Sequence, residues 1–217
     1  MGEPMEEPPV KYAMAFIDGQ NLYRHAKDAF GHHHPNYDPL ALHAKVCEIN
    51  GWKPTLVRFY TGVPDVAHNE MWSKYWSNRI LALKRAGVCV TTRPLRYYRQ
   101  EVTAADGSTI EVITPQEKGI DVRLALDIVR CARSKQFDVG VIYSQDQDLS
   151  EVADEVRQIA REQNRWMKLV SAFPSGPNAT SSRGINKTDW FLISREIYDA
   201  CLDPRDYRPK RSKKACS

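Results

Sequence analysis

Two aspartates separated by a single residue follow a strongly apolar stretch of the sequence. The stretch is VGVIYSQDQDL (139–149), and the acids are Asp146 and Asp148. Two like charges this close raise each other's pKa unless a cation shares them. We therefore expect the pair to bind a metal ion, to lie open in water, or to cap the helix that follows.

Two further aspartates are candidates for the same site. Asp18 ends the apolar run KYAMAFID (11–18), and Asp121 stands in the first turn of the predicted helix KGIDVRLALDIVRCARSKQ (118–136). An acid at a helix N-terminus is also stabilised by the helix dipole, so capping is an alternative role for Asp121. The same alternative applies to Asp148, which stands just before a predicted helix.

Strands and helices are predicted to alternate along the chain. Apolar runs predict strands at 11–18, 55–60, 88–92, from 139 onward and at 167–172, with helices at 22–30, 39–50, 66–85, 118–136 and 149–164. A last segment, 188–202, is expected to end as a helix. This alternation is typical of a three-layer, Rossmann-like α/β fold with a mostly parallel central sheet of about five strands.

Such a sheet would bring the acids together. Ligands of parallel sheets gather at the carboxyl ends of the strands, near the point where the strand order reverses. If the first and fourth strands are neighbours, Asp18 shares one rim with Asp146 and Asp148. Asp121, at the start of the helix before the fourth strand, would lean into the same rim.

The helix at 118–136 also gives two subsidiary predictions. Its apolar side is predicted to carry Val122, Leu126 and Val129, with Ala132 or Arg133 completing it. Asp127 is predicted to face elsewhere, as an ordinary helix acid.

An inserted β-hairpin is predicted where the alternation breaks, with strands at 97–102 and 109–114 about a turn at 105–107. The segment that leads into the hairpin carries guanidinium and aromatic groups, which can bind phosphates and unstacked bases. These candidate substrate-binding residues are Arg93, Arg96, Tyr97, Tyr98 and Arg99. A solvated sheet face is the alternative.

An aromatic stripe recurs at helical spacing within 66–85. It comprises Trp72, Tyr75, Trp76, Ile80 and Leu83. We expect it to belong to the core rather than to form a base-stacking platform.

Composition indicates a soluble globular protein. The chain has 217 residues, 42% hydrophobic and 27% charged, which suits one domain. No apolar run approaches the roughly 20 residues that span a bilayer, and the acidic, proline-rich start is unlike a signal peptide. Five cysteines without a C-x-x-C motif fit reduced thiols. We therefore expect a cytoplasmic protein with no membrane partner.

The ends of the chain differ from its middle. We expect a disordered N-terminus at 1–10, one domain at 11–203 and a basic tail at 204–217. The net charge of +4 is mild, so only the tail would add attraction to a polyanion. A solvated end without a role is the alternative.

The acids favour metal-dependent chemistry. Oxygen ligands favour Mg²⁺ or Mn²⁺, and such an ion can activate water against a phosphodiester. The sequence has no G-x-S-x-G elbow, no G-x-G-x-x-G fingerprint and no GKS or GKT, which argues against hydrolases of the serine type, dehydrogenases and P-loop enzymes.

Four segments in order carry a family resemblance. FIDGQNL, KGIDVRLALDIV, VIYSQDQDLSEVADEVR and GINKTDWFLI resemble the NYN domain, a PIN-like nuclease family that includes LabA-like proteins. The resemblance covers residues 12–202. It implies a Rossmann-like sheet with acids at its carboxyl edge, and metal-dependent RNA cleavage.

The resemblance also implies individual roles. The residues that match the family pattern are Asp18, Asn21, Asp121, Asp146, Asp148 and Asp189. Two positions depart from it, because Gln145 replaces a glycine and Leu149 a phenylalanine. Both acids of the element are intact, but a glutamine cannot adopt a glycine-only conformation cheaply. The backbone before Asp146 is therefore the feature to check.

Together these observations predict a Mg²⁺- or Mn²⁺-dependent endoribonuclease acting on single-stranded or structured RNA. Asp18, Asp121 and Asp146 would hold the metal. Asp148 would be a further ligand or a base, and Asn21 would orient ligand or substrate. Asp189 would have a structural role. The alternatives are a non-catalytic RNA-binding or regulatory module and a nuclease directed at DNA. The sequence leaves open whether the chain forms a homo-oligomer.

Overall fold

The computed structural model describes residues 5–103 and 109–209. The strands are β1 (Tyr12–Asp18), β2 (Lys53–Val63), β3 (Cys89–Pro94), β4 (Arg96–Thr103), β5 (Thr109–Gln116), β6 (Val139–Tyr143), β7 (Lys168–Pro174) and β8 (Asp189–Ile193). The helices are α1 (Gly19–Phe30), α2 (Pro39–Asn50), α3 (Glu70–Arg85), α4 (Ile120–Arg133), α5 (Ser150–Glu162) and α6 (Arg195–Asp199). None of the described helices is long and apolar enough to cross a bilayer.

Six of the strands form one parallel sheet, in the order β3-β2-β1-β6-β7-β8. The predicted three-layer α/β class is confirmed. The sheet has one strand more than the sequence predicted. The additional strand is β8, an edge strand in which Trp190 and Leu192 are 45% and 53% exposed, and it lies in the segment 188–202 that was expected only to end as a helix.

The first and fourth strands of the prediction, on whose adjacency the shared rim of acids depends, are neighbours at the centre of the sheet. β1 pairs with β6, and Ile17 lies opposite Tyr143 at the carboxyl end of both strands. The chain builds β2 and β3 on one side of β1 and returns to build β6, β7 and β8 on the other. The strand order therefore reverses at β1 and β6, where Asp18 and Ser144 leave the sheet side by side.

Helices cover both faces of this sheet. Successive residues of β1 point to opposite faces, so Ala15 and Ile17 pack with α1, α2 and α3, while Phe16 packs with α4 and α5. This double burial explains why β1 and β6 are apolar throughout.

The predicted apolar side of α4 is wrong for Val122 and Leu126, although Ala132 is buried and Val129 packs against the core as predicted. Val122 and Leu126 are 58% and 61% exposed, whereas Leu124, Ile128 and Cys131 are buried. The helix has apolar residues at helical spacing on two sides, so the spacing alone does not select one. Packing against the sheet selects the side that begins at Ile120.

Asp127 is not an ordinary surface acid. Its side chain is buried and accepts hydrogen bonds from Tyr60 Oη at 3.0 Å and from Arg130 Nη2 at 2.8 Å. Arg123 and Arg58 also lie within salt-bridge distance. A buried carboxylate needs such partners, so Asp127 joins α4 to β2.

The predicted hairpin is present. β4 and β5 pair antiparallel from Arg96 opposite Gln116 to Thr103 opposite Thr109. Its predicted turn at 105–107 lies outside the described residues, as do residues 1–4 and the basic tail from 210 onward.

Candidate active site

Asp18 is a buried carboxylate at the carboxyl end of β1. It is only 8% exposed, and its Oδ1 accepts a hydrogen bond from Asn21 N at 3.0 Å. This cap starts α1 at Gly19, three residues before the predicted start. Burial raises the pKa of Asp18 to about 6, the Asn21 N–H partly offsets that rise, and the charge of Asp146 adds to it.

Asp146 stands beyond the neighbouring strand. Its N–H donates to Ser144 Oγ at 3.2 Å, and its Oδ1 accepts from Asp148 N at 3.1 Å. Asp146 therefore caps the 3-10 turn Gln147–Leu149 that leads into α5. The alternative role predicted for Asp148, a cap for this helix, is wrong. The helix begins at Ser150 without a side-chain cap, and Asp148 is exposed.

Asn21 joins the two strand ends. Its Oδ1 accepts a hydrogen bond from Gln145 N at 3.0 Å, while its backbone N–H donates to Asp18 Oδ1. The bond fixes the backbone that precedes Asp146 relative to α1. Asn21 therefore positions the two acids with respect to each other.

Gln145 does not strain the backbone. The non-glycine residues with positive φ are Lys135, Asn164 and Lys187 within the described chain, so this position needs no glycine. The buried Gln145 side chain instead donates to the carbonyl oxygens of Ser181 and Arg183, at 3.3 and 2.7 Å. Gln145, which stands where the family pattern has a glycine, thus holds the loop after β7 against the turn that carries Asp146.

Glu117 is a further acid of the site, and sequence reasoning missed it. Its Oε2 accepts a hydrogen bond from Gly62 N in β2. Burial raises the pKa of Glu117 to about 7, and the charges of Asp18 and Asp121 add to that rise. The available signal was its place directly before the Lys118–Gly119 turn of the K-G-x-D element.

Asp121 lies half-buried in the first turn of α4. The N-cap of this helix is Gly119, at φ 75°, and it offers no side-chain cap. The left-handed backbone there favours glycine. The Asp121 charge acts on Glu117, which places it near the site.

Arg24 supplies a positive charge to the same place. It is exposed on α1 and lowers the pKa of both Asp18 and Glu117, less than burial raises them. The two carboxylates therefore remain incompletely compensated. Sequence reasoning did not single out Arg24.

The predicted substrate-binding residues lie at the end of β3 and on β4, the first strand of the hairpin. The Arg93 guanidinium lies about 4 Å from the position that a Cβ on Gly119 would occupy, beside the start of α4. Tyr98 lies under Lys118 Nζ at 5.0 Å. Arg99 pairs with Glu111 on the opposing strand at 3.3 Å.

Asp189 lies away from these acids. It begins β8, opposite Val170 near the start of β7, and binds Lys168 Nζ at 2.6 Å. Because the strands are parallel, this is the edge of the sheet opposite to the site. The ion pair between Lys168 and Asp189 joins β7 to β8.

The donor chemistry of the site fits a hard divalent cation, because its ligands are carboxylate oxygens whose charge is not fully balanced. Among residues 5–103 and 109–209, no three His, Cys, Asp or Glu side chains are grouped as closely as a metal site requires. The hydrogen bonds described above hold Asp18, Asp146 and Glu117 through one oxygen each. Convergence on an ion would therefore need side-chain rotation.

The sequence profile of the NYN domain matches residues 12–195, which is most of the chain. The chain belongs to the NYN domain family. This family is part of the PIN-like nuclease superfamily, so a nuclease-type function follows for this NYN domain. No curated protein matches it significantly.

A solved structure shares the fold of this NYN domain. It is the crystal structure of a protein of unknown function from Vibrio parahaemolyticus, with a TM-score of 0.52 and 18% sequence identity. The match covers 91% of this chain and 99% of that one. At this identity the likeness shows the fold alone.

A cleft of about 670 Å³ opens beside the acids of the NYN domain. Its walls come from α1, α3, the end of β2 and the hairpin. The predicted core role of the aromatic stripe is confirmed for Tyr75, Trp76 and Leu83, which are buried. Trp72 is half-buried and lines the cleft, together with Trp76.

Gly62 separates the cleft from Glu117, and its replacement by alanine tests that boundary. A Cβ there would lie 2.6 Å from Glu117 Oε2 and 2.4 Å from Leu95 Cδ2. We expect Gly62→Ala to displace the carboxylate and to lower nuclease activity about tenfold, at a stability cost of about 1–3 kcal/mol. Cleavage rates and thermal melts measure the two effects.

Gly140→Ala is the matched control, because its Cβ would lie 2.6 Å from Leu169 Cδ2 with no acid beside it. It should lose stability without loss of activity per folded molecule. Equal activity losses in the two variants would contradict a specific role for Gly62.

Proposed function

We propose that this NYN domain is a metal-dependent endoribonuclease that hydrolyses RNA phosphodiester bonds. The observation that carries the proposal is the placement of Asp18 and Asp146 at the ends of adjacent central strands. Glu117 lies close enough for the charges of Asp18 and Asp121 to raise its pKa. Carboxylates that raise each other's pKa repel one another, and a shared cation relieves that repulsion. Family membership supports nuclease chemistry.

Asp18 and Asp146 would hold Mg²⁺ or Mn²⁺, with Asp121 and the exposed Asp148 as the further predicted ligands. When bound, the ion would polarise the phosphodiester and lower the pKa of its bound water. Asn21 keeps the Asp18 and Asp146 backbones in register through its bond to Gln145. This support would fix the backbones that carry the ligands before substrate arrives, and the side chains would then rotate onto the ion.

Glu117 is suited to proton transfer. Burial raises its pKa to about 7 in the ion-free site, and a cation bound nearby would lower that pKa again, which would leave the carboxylate able to accept a proton. Its Oε2 accepts from Gly62, so Oε1 is the atom that would exchange the proton.

Positive groups would guide the strand into this acidic centre. Arg24 on α1 and Arg93 beside α4 border it. Arg96 adds positive charge on the hairpin beside Tyr97 and Tyr98, whereas the charge of Arg99 is balanced by Glu111. A polyanion needs such a surround to approach carboxylates.

The direct test is cleavage of labelled single-stranded RNA by the purified protein with Mn²⁺, with Mg²⁺ and with EDTA. Cleavage that requires the ion supports the proposal. Tight binding without cleavage in any ion would instead identify a non-catalytic module. A single-stranded DNA substrate, tested alongside the RNA, distinguishes a ribonuclease from a nuclease directed at DNA.

Asp146→Asn should abolish this cleavage while the protein stays folded. The asparagine Oδ1 can still accept the hydrogen bond from Asp148 N, but the ligand charge is lost. Circular dichroism and thermal melts check folding. Glu48→Gln, which removes an exposed carboxylate from α2, is the control that should retain activity. Full activity in Asp146→Asn would remove Asp146 from the site.

A further inference from the structure

The cleft beside the acidic site has aromatic walls that are held in place. Tyr97 stacks on His68 with ring centroids 3.6 Å apart and planes 8° from parallel, and its hydroxyl oxygen accepts from Asp65 N at 3.0 Å. Tyr23 donates its hydroxyl hydrogen to His33 O at 2.6 Å. Walls fixed in advance lose little entropy when a ligand binds.

Trp72 adds a third aromatic surface. Its ring packs edge-on against Tyr75, with centroids 5.1 Å apart and planes at 72°, so the core holds it at a fixed angle. The ring remains half-buried at the cleft. The cleft volume of about 670 Å³ lies in the range of about 300–1,000 Å³ that small-molecule sites occupy.

Charge distinguishes this cleft from a purely apolar groove. Arg24 and Lys27, one turn apart on α1, both line it and both are exposed. Arg24 also acts on Asp18 and Glu117. A group bound between the aromatic rings would therefore lie beside cations on one side and beside the acidic site on the other.

We propose that this cleft binds one unpaired nucleobase of a single strand, next to the phosphate that the acidic site would cleave. The aromatic rings would stack on the base, and Arg24 and Lys27 would bind the adjoining phosphates. A paired base cannot enter, because its face and edge are covered by the duplex. The site therefore selects unpaired segments.

This inference rests on the proposed function for the place of the cleavable phosphate, but the binding itself needs no catalysis. The experiment is fluorescence anisotropy with labelled RNA and DNA hexamers in EDTA, where metal-dependent cleavage cannot occur. Absence of cleavage would leave this result untouched. The arm with the higher affinity identifies the preferred sugar.

In a set of hexamers that each carry one abasic position, we expect at least one to bind about tenfold more weakly than the intact hexamer. We expect Trp72→Leu to weaken binding of the intact hexamer about tenfold. Trp166→Leu removes another half-buried tryptophan, which lies under Lys11 at the opposite edge of the sheet. It should leave binding unchanged. A blunt duplex of the same strand should bind more weakly than the strand itself.

Thermal melts show whether each variant is folded. If Trp72→Leu fails to fold, Tyr23→Leu supplies the same test from α1. Equal affinity of intact and abasic hexamers, or equal effects of Trp72→Leu and Trp166→Leu, would overturn the proposal.

Discussion

Replacing Asp18 with asparagine is expected to abolish cleavage and, at the same time, to make the ion-free protein more stable at pH 8. The loss of activity should reach at least ~10³-fold, because a metal ligand supports several kcal/mol of transition-state stabilisation. The gain in stability follows from burial. Asp18 is 8% exposed, and its pKa of about 6 means that folding disfavours its charged form.

The expected stabilisation is on the order of 2 kcal/mol, or about 4–8 °C in Tm for a chain of this size. Asparagine keeps the oxygen that accepts from Asn21 N, so α1 remains capped. Activity assays and calorimetry at pH 8 in EDTA measure the two effects. Asp18→Ala, which removes that oxygen too, should lose the stability gain. Reduced stability in Asp18→Asn would contradict the charge argument.

The second large effect concerns pH and metal together. Asp18 and Glu117 have folded pKa values raised to about 6 and about 7, from ordinary values of 3.8 and 4.5. The folded state therefore binds more protons than the unfolded state between these limits. Stability contributed by the two groups is greatest below pH 4 and is lost as the pH rises through 6 to 7.

Thermal melts of the wild type and of Asp18→Asn/Glu117→Gln in EDTA isolate this contribution, since other groups titrate alike in both. The double variant should exceed the wild type in Tm at pH 8, and the difference should shrink at pH 5. Adding Mn²⁺ should raise the wild-type Tm at pH 8 more than at pH 5, because ligand carboxylates must be deprotonated to bind.

The same Mn²⁺ addition should leave the double variant nearly unchanged. This readout is independent of catalysis. A wild-type Tm that does not respond to Mn²⁺ at pH 8 would contradict the metal assignment, and a pH-independent difference between the proteins would contradict the two raised pKa values.

The sequence by itself determined the fold class and the place of Asp18 and Asp146 at the carboxyl ends of their strands. Each of these depends on local patterns. Strands buried on both faces read as apolar runs, and the acids that end such runs lie at the edge where parallel strands finish. The family resemblance added Asn21 as a candidate, through matching segments that keep their order.

Only the tertiary structure decided which side of α4 is buried, that Asp146 rather than Asp148 caps the following turn, and that Glu117 joins the acids. These outcomes depend on contacts between segments far apart in the chain. Glu117 meets Gly62 of β2 across 55 positions, and Gln145 anchors a loop 36 and 38 residues later. Periodicity describes one segment at a time, so it contains no information about such partners, and the burial that raises a carboxylate pKa exists only once they have met.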